Sequence, residues 1–328
     1  MGNKLSTSHS AHRTVLVTGG AGFIGSSLIA KILPTYKVIC VDDFNDYYSP
    51  AWKEENVKPF HGNKNFTLYK ADIRNLEMLE QIFKNHKPNK IIHLAARAGV
   101  RPSIKEPHLY EETNVKGTLN LLELARMYAV PHFIFASSSS VYGNQEKIPF
   151  SETDPVNEPV SPYAATKKAG EMLCYTYAHL YKIKTTCLRF FTVYGPKGRP
   201  DMAPYLFTEA ALSGRPITRF GDGATKRDYT YIDDIVEGVF KAIEKPFDFE
   251  IINLGNNKPI TLNKFIEILE KATERKINLM TLPIQPGDVN QTYADIEKAK
   301  KLLNWQPKIP LEEGLKQFVS WYKVNRLE

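Results

Sequence analysis

Thr14-Val15-Leu16-Val17-Thr18-Gly19-Gly20-Ala21-Gly22-Phe23-Ile24-Gly25 decides how the rest of this chain is read. The first five residues are aliphatic or β-branched without a break, the mark of a strand buried in a parallel sheet. Glycines spaced by three follow at once. Gly19 permits a tight turn, Gly22 lets backbone approach a pyrophosphate, and Gly25 allows a helix to pack closely on the strand. The helix beginning near Phe23 and Ile24 would aim its positive end at the phosphates. Lys37 to Val41 reads as a second strand and ends in Asp42, 17 residues beyond Gly25. A carboxylate is expected about there for the adenosine ribose hydroxyls. No arginine follows Asp42 directly to hold a 2′-phosphate, so NAD is expected rather than NADP.

Outward from this stretch, strand and helix alternate. Further strands are expected at 66–70, 90–94, 131–137 and 184–190, with helices near 23–33, 75–85, 107–129 and 161–181. Such alternation predicts an α/β fold, a doubly wound parallel sheet of the Rossmann type. After about residue 195 the pattern loses regularity and gains Pro and Gly, with helices near 262–274 and 311–326. The expected organisation is a flexible leader over 1–12 and an NAD-binding domain over 13–195. Residues 196–328 are expected to form mainly a smaller α/β substrate-binding lobe, some of whose segments return to the main sheet.

Bulk properties narrow the function classes. The 328 residues are 42% hydrophobic and 24% charged, which suits a globular protein with a large core. The net charge of +7 is spread along helices with acids interleaved, as around Lys298-Ala299-Lys300-Lys301. That is a solvated surface, so no nucleic-acid partner is expected, and the excess charge would help attract an anionic nucleotide. No apolar run approaches the ~20 residues that span a bilayer. Cys40, Cys174 and Cys187 lack any paired or metal-ligand spacing, and no His/Asp/Glu cluster suggests a metal. A cytoplasmic location is expected. Met1-Gly2-Asn3-Lys4-Leu5-Ser6 fits the N-myristoylation pattern, although a plain polar leader accounts for it as well.

Reactive groups come from Tyr163-Ala164-Ala165-Thr166-Lys167, with Ser138 some 25 residues upstream. The spacing puts a phenol and an ammonium one helical turn apart on the same face. A phenol of pKa about 10 is a poor base at neutral pH. The neighbouring cation is expected to lower that pKa, and a serine hydroxyl to share in relaying a proton. The set suits moving a proton on and off an alcohol as hydride leaves its carbon.

Together these motifs resemble the extended short-chain dehydrogenase/reductase family, in its nucleotide-sugar epimerase branch, from about Thr14 to the end of the chain. The resemblance includes Asp72-Ile73, His93-Leu94-Ala95-Ala96, Asn114 and Ser137-Ser138-Ser139-Ser140-Val141-Tyr142-Gly143. It implies that Asp72 and Ile73 contact adenine and that Ala95 and Ala96, beside Leu94, flank the nicotinamide. Asn114 is implied on the cofactor as well, and Lys167 on the nicotinamide ribose. His93 is expected to be a satisfied buried histidine, and Trp305 and Trp321 to be packing aromatics.

Within that branch the likeness is to UDP-glucuronate 4-epimerases. It rests on Ala98-Gly99-Val100-Arg101, on Arg189-Phe190-Phe191-Thr192-Val193-Tyr194-Gly195-Pro196, and on Gly198-Arg199-Pro200-Asp201-Met202. UDP-galactose 4-epimerases carry an asparagine where this chain has Thr192. Thr192, Ser139, Ser140 and Arg199 are implied as acceptors of a C6 carboxylate, with Arg101 as a further substrate contact. Arg227 and Asp288 are implied for the pyrophosphate and uridine.

The activity so implied is NAD-dependent interconversion of UDP-glucuronic and UDP-galacturonic acids through a transient 4-keto sugar. NAD would stay tightly bound and be regenerated in each cycle. Related 4,6-dehydratases place Asp-Glu directly after the active serine or threonine pair; this chain has Ser139-Ser140. A 4-epimerase of neutral UDP-hexoses or UDP-N-acetylhexosamines, a UDP-glucuronate decarboxylase, and a non-catalytic NAD-binding regulator are the alternatives. Relatives commonly dimerise through paired helices, and a homodimer is expected. The sequence leaves open whether Leu119, Leu122, Leu173 and Tyr177 serve that contact or face the sheet.

Overall fold

The computed structural model describes residues 14–283 and 290–327. Its strands are β1 (Thr14–Thr18), β2 (Lys37–Asp42), β3 (Phe66–Lys70), β4 (Lys90–His93), β5 (His132–Ser138) and β6 (Lys184–Phe190). There follow β7 (Thr192–Tyr194), β8 (Ile217–Phe220), β9 (Lys226–Arg227), β10 (Tyr229–Tyr231), β11 (Phe249–Leu254), β12 (Ile260–Thr261) and β13 (Leu279–Leu282). Seven of them form one parallel sheet in the order β3-β2-β1-β4-β5-β6-β11. The order reverses between β1 and β4, which opens a crevice beyond the carboxyl ends of these strands.

Alternation along β1 and β2 assigns the two faces of the sheet. Val15, Val17, Val38 and Cys40 pack into one apolar core with the Phe23–Ile32 and Ile232–Glu244 helices. Leu16, Ile39 and Val41 enter the other, under the Leu76–His86, Gly117–Met127 and Pro162–Tyr181 helices. Both faces are covered, which is why these strands carry polar side chains only at their ends.

One segment departs from the sequence reading. The single helix expected over 107–129 is Pro107–Glu111 and Gly117–Met127 joined by a wider π-helical turn, Glu112–Lys116. Asn114 sits in that turn, its side-chain amide bonded to the Arg97 backbone and to the Thr166 hydroxyl. Strand β11 and the Ile232–Glu244 helix, both beyond residue 195, are built into the main layers. The remaining part of that region, together with β7, carries three two-stranded sheets among the described residues, β7–β10, β9–β12 and β8–β13, with helices Ala203–Ser213, Leu262–Thr273 and Leu311–Arg326.

Trp305 is buried and donates its indole N–H to the Asp234 carbonyl (2.8 Å), and Trp321 packs against the same core. His93 is buried between Thr18 and Thr118, its ring nitrogens 2.8 and 2.9 Å from their hydroxyls. Burial holds His93 neutral, far below the usual histidine pKa, at about 3. All three cysteines are buried and free. Among the described residues no helix is long and apolar enough to cross a membrane, and no cluster of acids, histidines or cysteines could hold a metal.

Candidate active site

Two adjoining cavities open at the sheet's carboxyl edge. The first, about 370 Å³, runs from the glycine turn to the start of the Pro162–Tyr181 helix. The second, about 920 Å³, continues from it beneath β8 and the Ala203–Ser213 helix. Their common wall includes Gly99, Val100, Ser139, Ser140, Thr192 and Arg199. Whatever bridges the two must pass these hydroxyls.

The first cavity is shaped for a dinucleotide. Gly19 takes φ +68°, and a β-carbon on it would lie 2.7 Å from the Ala95 nitrogen. A β-carbon on Gly25 would lie 2.2 Å from the Gly19 carbonyl oxygen, so the helix could not seat on the turn. Gly22 begins that helix without a side-chain cap, and no acid stands in its first turn. Its free N–H groups therefore offer an anion site, with Gly22, Phe23 and Ile24 in the wall. Ile73, Leu94, Ala95 and Ala96 supply apolar walls for flat rings. This donor and surface set fits NAD.

Asp42 stands where the sequence places it, but it is already engaged. It accepts from the backbone of Ala21 (3.1 Å) and Phe44 (3.0 Å) and from the Lys53 ammonium (3.1 Å). Lys53 is 5% exposed and lines the same cavity. Sequence reasoning missed it, since Trp52-Lys53-Glu54-Glu55 looks like a solvated charge run. The available signal was that Lys53, Asn56 and Val57 occupy the inward stripe of the Pro50–Val57 helix.

Two expected cofactor contacts lie elsewhere. The Asp72 carboxylate turns to Arg74 (2.7 and 2.9 Å) and is not part of the cavity wall. Asn114 is also absent from the wall. It is 2% exposed and ties the Arg97 backbone (2.8 and 2.9 Å) to Thr166 (3.0 Å), one residue before Lys167. Its amide is a strut between the β4 loop and the reactive helix.

Ser138, Tyr163 and Lys167 meet where the first cavity nears the second. Ser161 caps their helix by accepting from the Ala164 N–H, which fixes the first turn and with it Tyr163. Ser138 ends β5 and begins the Ser139–Tyr142 turn; it donates to Ser140 Oγ (3.1 Å) and accepts from the Ser140 N–H (3.1 Å). The expectation that Lys167 lowers the Tyr163 pKa is not met. Burial raises the phenol, against the downward pull of hydrogen bonding with Ser138. The lysine instead donates to the Ala136 carbonyl (2.7 Å) and lies over the Phe135 ring (5.0 Å). Burial brings Lys167 down to about 8, with Cys174 and Glu171 pulling it upward.

Arg101 and Arg227 line the second cavity, Arg101 stacked on Phe220 (4.7 Å) and Arg227 donating to the Lys226 carbonyl (2.9 Å). Asp288 lies outside the described residues. Arg199 stands at the common wall, paired with Asp201 (Nε–Oδ1 2.9 Å, Nη2–Oδ2 2.5 Å) and stacked on Tyr47 (5.4 Å). Tyr142 packs: it is buried, stacks on Phe150 (4.8 Å) and donates to Asn253 (2.8 Å).

Comparison with known proteins agrees with this layout. The family described as GDP-mannose 4,6 dehydratase matches residues 16–318. A Thermodesulfobacterium geofontis protein named UDP-glucuronate 4-epimerase is 48% identical over 94% of this chain and 96% of its own. The solved UDP-glucuronic acid 4-epimerase of Bacillus cereus, in complex with UDP-glucuronic acid and NAD, is 36% identical. It superposes with a TM-score of 0.89 over 95% of this chain and 99% of that one. A Thermotoga maritima UDP-glucose 4-epimerase solved with UDP-glucose gives 0.89 at 38% identity, over 96% and 100%. A family match over residues 16–318, together with these likenesses in sequence and fold, shows that the chain belongs to the extended short-chain dehydrogenases/reductases of the GDP-mannose 4,6-dehydratase family.

Proposed function

We propose that this chain is an NAD-dependent UDP-glucuronate 4-epimerase, an isomerase that interconverts UDP-glucuronic and UDP-galacturonic acids. One observation carries the reading. Ser139, Ser140 and Thr192 stand at the common wall of the two cavities, next to Ser138, Tyr163 and Lys167. Ser139 and Ser140, with no carboxylate, follow the reactive serine, and Thr192 adds a third hydroxyl from β7, so the site offers donors to a sugar acid and no acid–base pair for eliminating water.

NAD, when bound, supplies hydride removal and return at sugar C4. Tyr163 takes the 4-hydroxyl proton and returns it after the 4-keto sugar has presented its other face. Ser138 holds the same oxygen, and Lys167 keeps positive charge beside the phenolate and the nicotinamide ribose. Asp42 with Lys53 holds the adenosine ribose, the uncapped helix at Gly22 the pyrophosphate, and Ile73 the adenine. Arg101, Arg199 and Arg227 meet the charge of the UDP moiety and sugar acid in the larger cavity.

A 4-keto glucuronic acid is a β-keto acid and loses carbon dioxide readily when its C5–C6 bond aligns with the carbonyl π system. Ser139, Ser140 and Thr192 hold the carboxylate out of that alignment. The protein with UDP-glucose in its solved structure has the same fold, so a neutral UDP-hexose is the second reading. Product NMR after incubation with UDP-glucuronic acid, without added reductant, separates them. UDP-galacturonic acid with no net NADH supports the first reading, and turnover of UDP-glucose alone overturns it.

The assembly is proposed as a homodimer. Met172, Tyr175 and Leu180 stand exposed on the Pro162–Tyr181 helix, with Leu119 and Met127 exposed on Gly117–Met127. Leu122 and Tyr177 point inward instead. Light scattering on the purified chain tests this. Buried, unpaired thiols favour a reducing, cytoplasmic setting.

A further inference from the structure

Behind the reactive groups lies a buried ion pair that the reaction does not use. Glu171 and Arg189 are each 1% exposed. The guanidinium holds the carboxylate through two parallel bonds, Nε–Oε1 2.8 Å and Nη2–Oε2 2.9 Å. Ser137 Oγ donates to the same carboxylate at 2.7 Å. Glu171 lies one helical turn beyond Lys167 and two beyond Tyr163, on the buried face of their helix. Ser137 precedes Ser138 on β5, and Arg189 is its register partner on β6. Arg189 also lies over the Tyr142 ring, 4.8 Å from its centre, at the end of the turn that carries Ser139 and Ser140. One carboxylate therefore ties the helix of Tyr163 and Lys167 to the strand and turn of the serines.

A purely structural account is weak on energetic grounds. Taking two charges out of water offsets most of their attraction, and apolar residues of similar volume often serve stability as well or better. Packing already brings helix and strand together, since a β-carbon on Gly170 would meet the Phe135 ring at 2.4 Å. What apolar contact does not set is the register between the two reactive elements along and around the helix axis. A bidentate pair fixes that register to within hydrogen-bond tolerance.

We propose that Glu171, clamped by Arg189 and Ser137, is a positioning residue for the epimerisation: it sets Tyr163 and Lys167 against Ser138, Ser139 and Ser140. This rests on the reading of these five side chains given above. Charged or titratable groups facing the pair are Lys168 at 3.6 Å on the same helix, Tyr142 across β6, and Lys167, Cys174 and Cys187 within electrostatic reach.

The test compares wild type with Ser137→Ala, Glu171→Gln and the charge-neutral pair Glu171→Leu/Arg189→Met. Tm, bound NAD, KM and kcat are measured, the kinetics well below each Tm. The expected result is kcat at least tenfold lower in the double variant, with Tm near or above wild type and NAD content and KM within about threefold. Ser137→Ala, which keeps the ion pair, should lose several-fold in kcat with little change in Tm. Recovery of kcat together with Tm in the double variant overturns the proposal, because packing then suffices. Should the larger changes prevent folding, Ser137→Ala decides alone, and unchanged kcat there overturns it too. Rates are taken with whichever UDP-sugar the wild type turns over. A wrong substrate assignment then shows in the wild-type rate and a wrong positioning role in the ratio of variant to wild type.

Discussion

Tyr47 and Asp201, 154 residues apart in the chain, meet at 3.1 Å, the phenol hydroxyl donating to Oδ2. Tyr47 belongs to the wall of the smaller cavity and Asp201 to that of the larger. Arg199 completes the contact from above the Tyr47 ring. Burial raises the Tyr47 phenol to about 12, so it remains a donor throughout the working pH range. Replacing it by phenylalanine removes one bond to a charged acceptor, worth about 1.5–3 kcal/mol at most and less where solvent reaches it. Tyr47→Phe is expected to release NAD and UDP roughly three- to tenfold faster, read by dilution and filtration of the loaded protein. Equal release rates would leave the clasp without a role in retention.

Lys167 should be costly to the fold that holds it. Its folded pKa, about 8, lies below the ordinary lysine value of 10.5. Between those values the unfolded chain binds more protons, so the penalty for burying this cation is full below about pH 8, shrinks as pH rises towards about 10.5 and is gone above it. Lys167→Met removes the buried cation. It is expected to raise Tm at pH 7, to narrow its advantage as pH climbs through that window, and to cut kcat by roughly 10²–10⁴. Denaturation curves at pH 7 and pH 10 check the sign; a constant difference contradicts it.

Thr192→Ala tests fidelity rather than rate. Removing the hydroxyl loosens the sugar carboxylate, so KM for UDP-glucuronic acid should rise several-fold and UDP-pentose should appear among the products by NMR. Unchanged affinity and a clean epimer would leave Thr192 outside the site.

Gly25→Ala addresses the cradle. With only 2.2 Å between the added carbon and the Gly19 carbonyl, the turn and helix must separate. Overpacking of this kind costs typically 1–3 kcal/mol, and the displaced helix end should weaken NAD binding at least tenfold in a titration.

Much of this was legible wherever the signal is local. The β1–glycine–helix unit, Asp42 at the end of β2, and Tyr163 with Lys167 are set by spacings of a turn or a strand. What escaped is set by pairing across the fold. Lys53 reads as surface charge until Asp42, on another element, is beside it. Arg199 gives no sign in the sequence that it pairs with Asp201 and stacks on Tyr47. Asn114 fits a family pattern, yet its amide serves the Arg97 backbone and the Thr166 hydroxyl. Glu171 and Arg189 sit on a helix and a strand whose own patterns give no hint that they touch.

The position of β11 bears on how the protein is made. Its strand, Phe249–Leu254, is the outermost partner of β6 and pairs with it along six residues. During synthesis β6 emerges well before β11, so a sheet with an unpaired edge strand exists until Leu254 has left the ribosome. Such edges recruit other strands. A transcript truncated after β7 would retain every reactive side chain of the Ser/Tyr/Lys set and still yield an aggregating product, because the residues that shield the sheet are encoded after the lobe's first helix and strands.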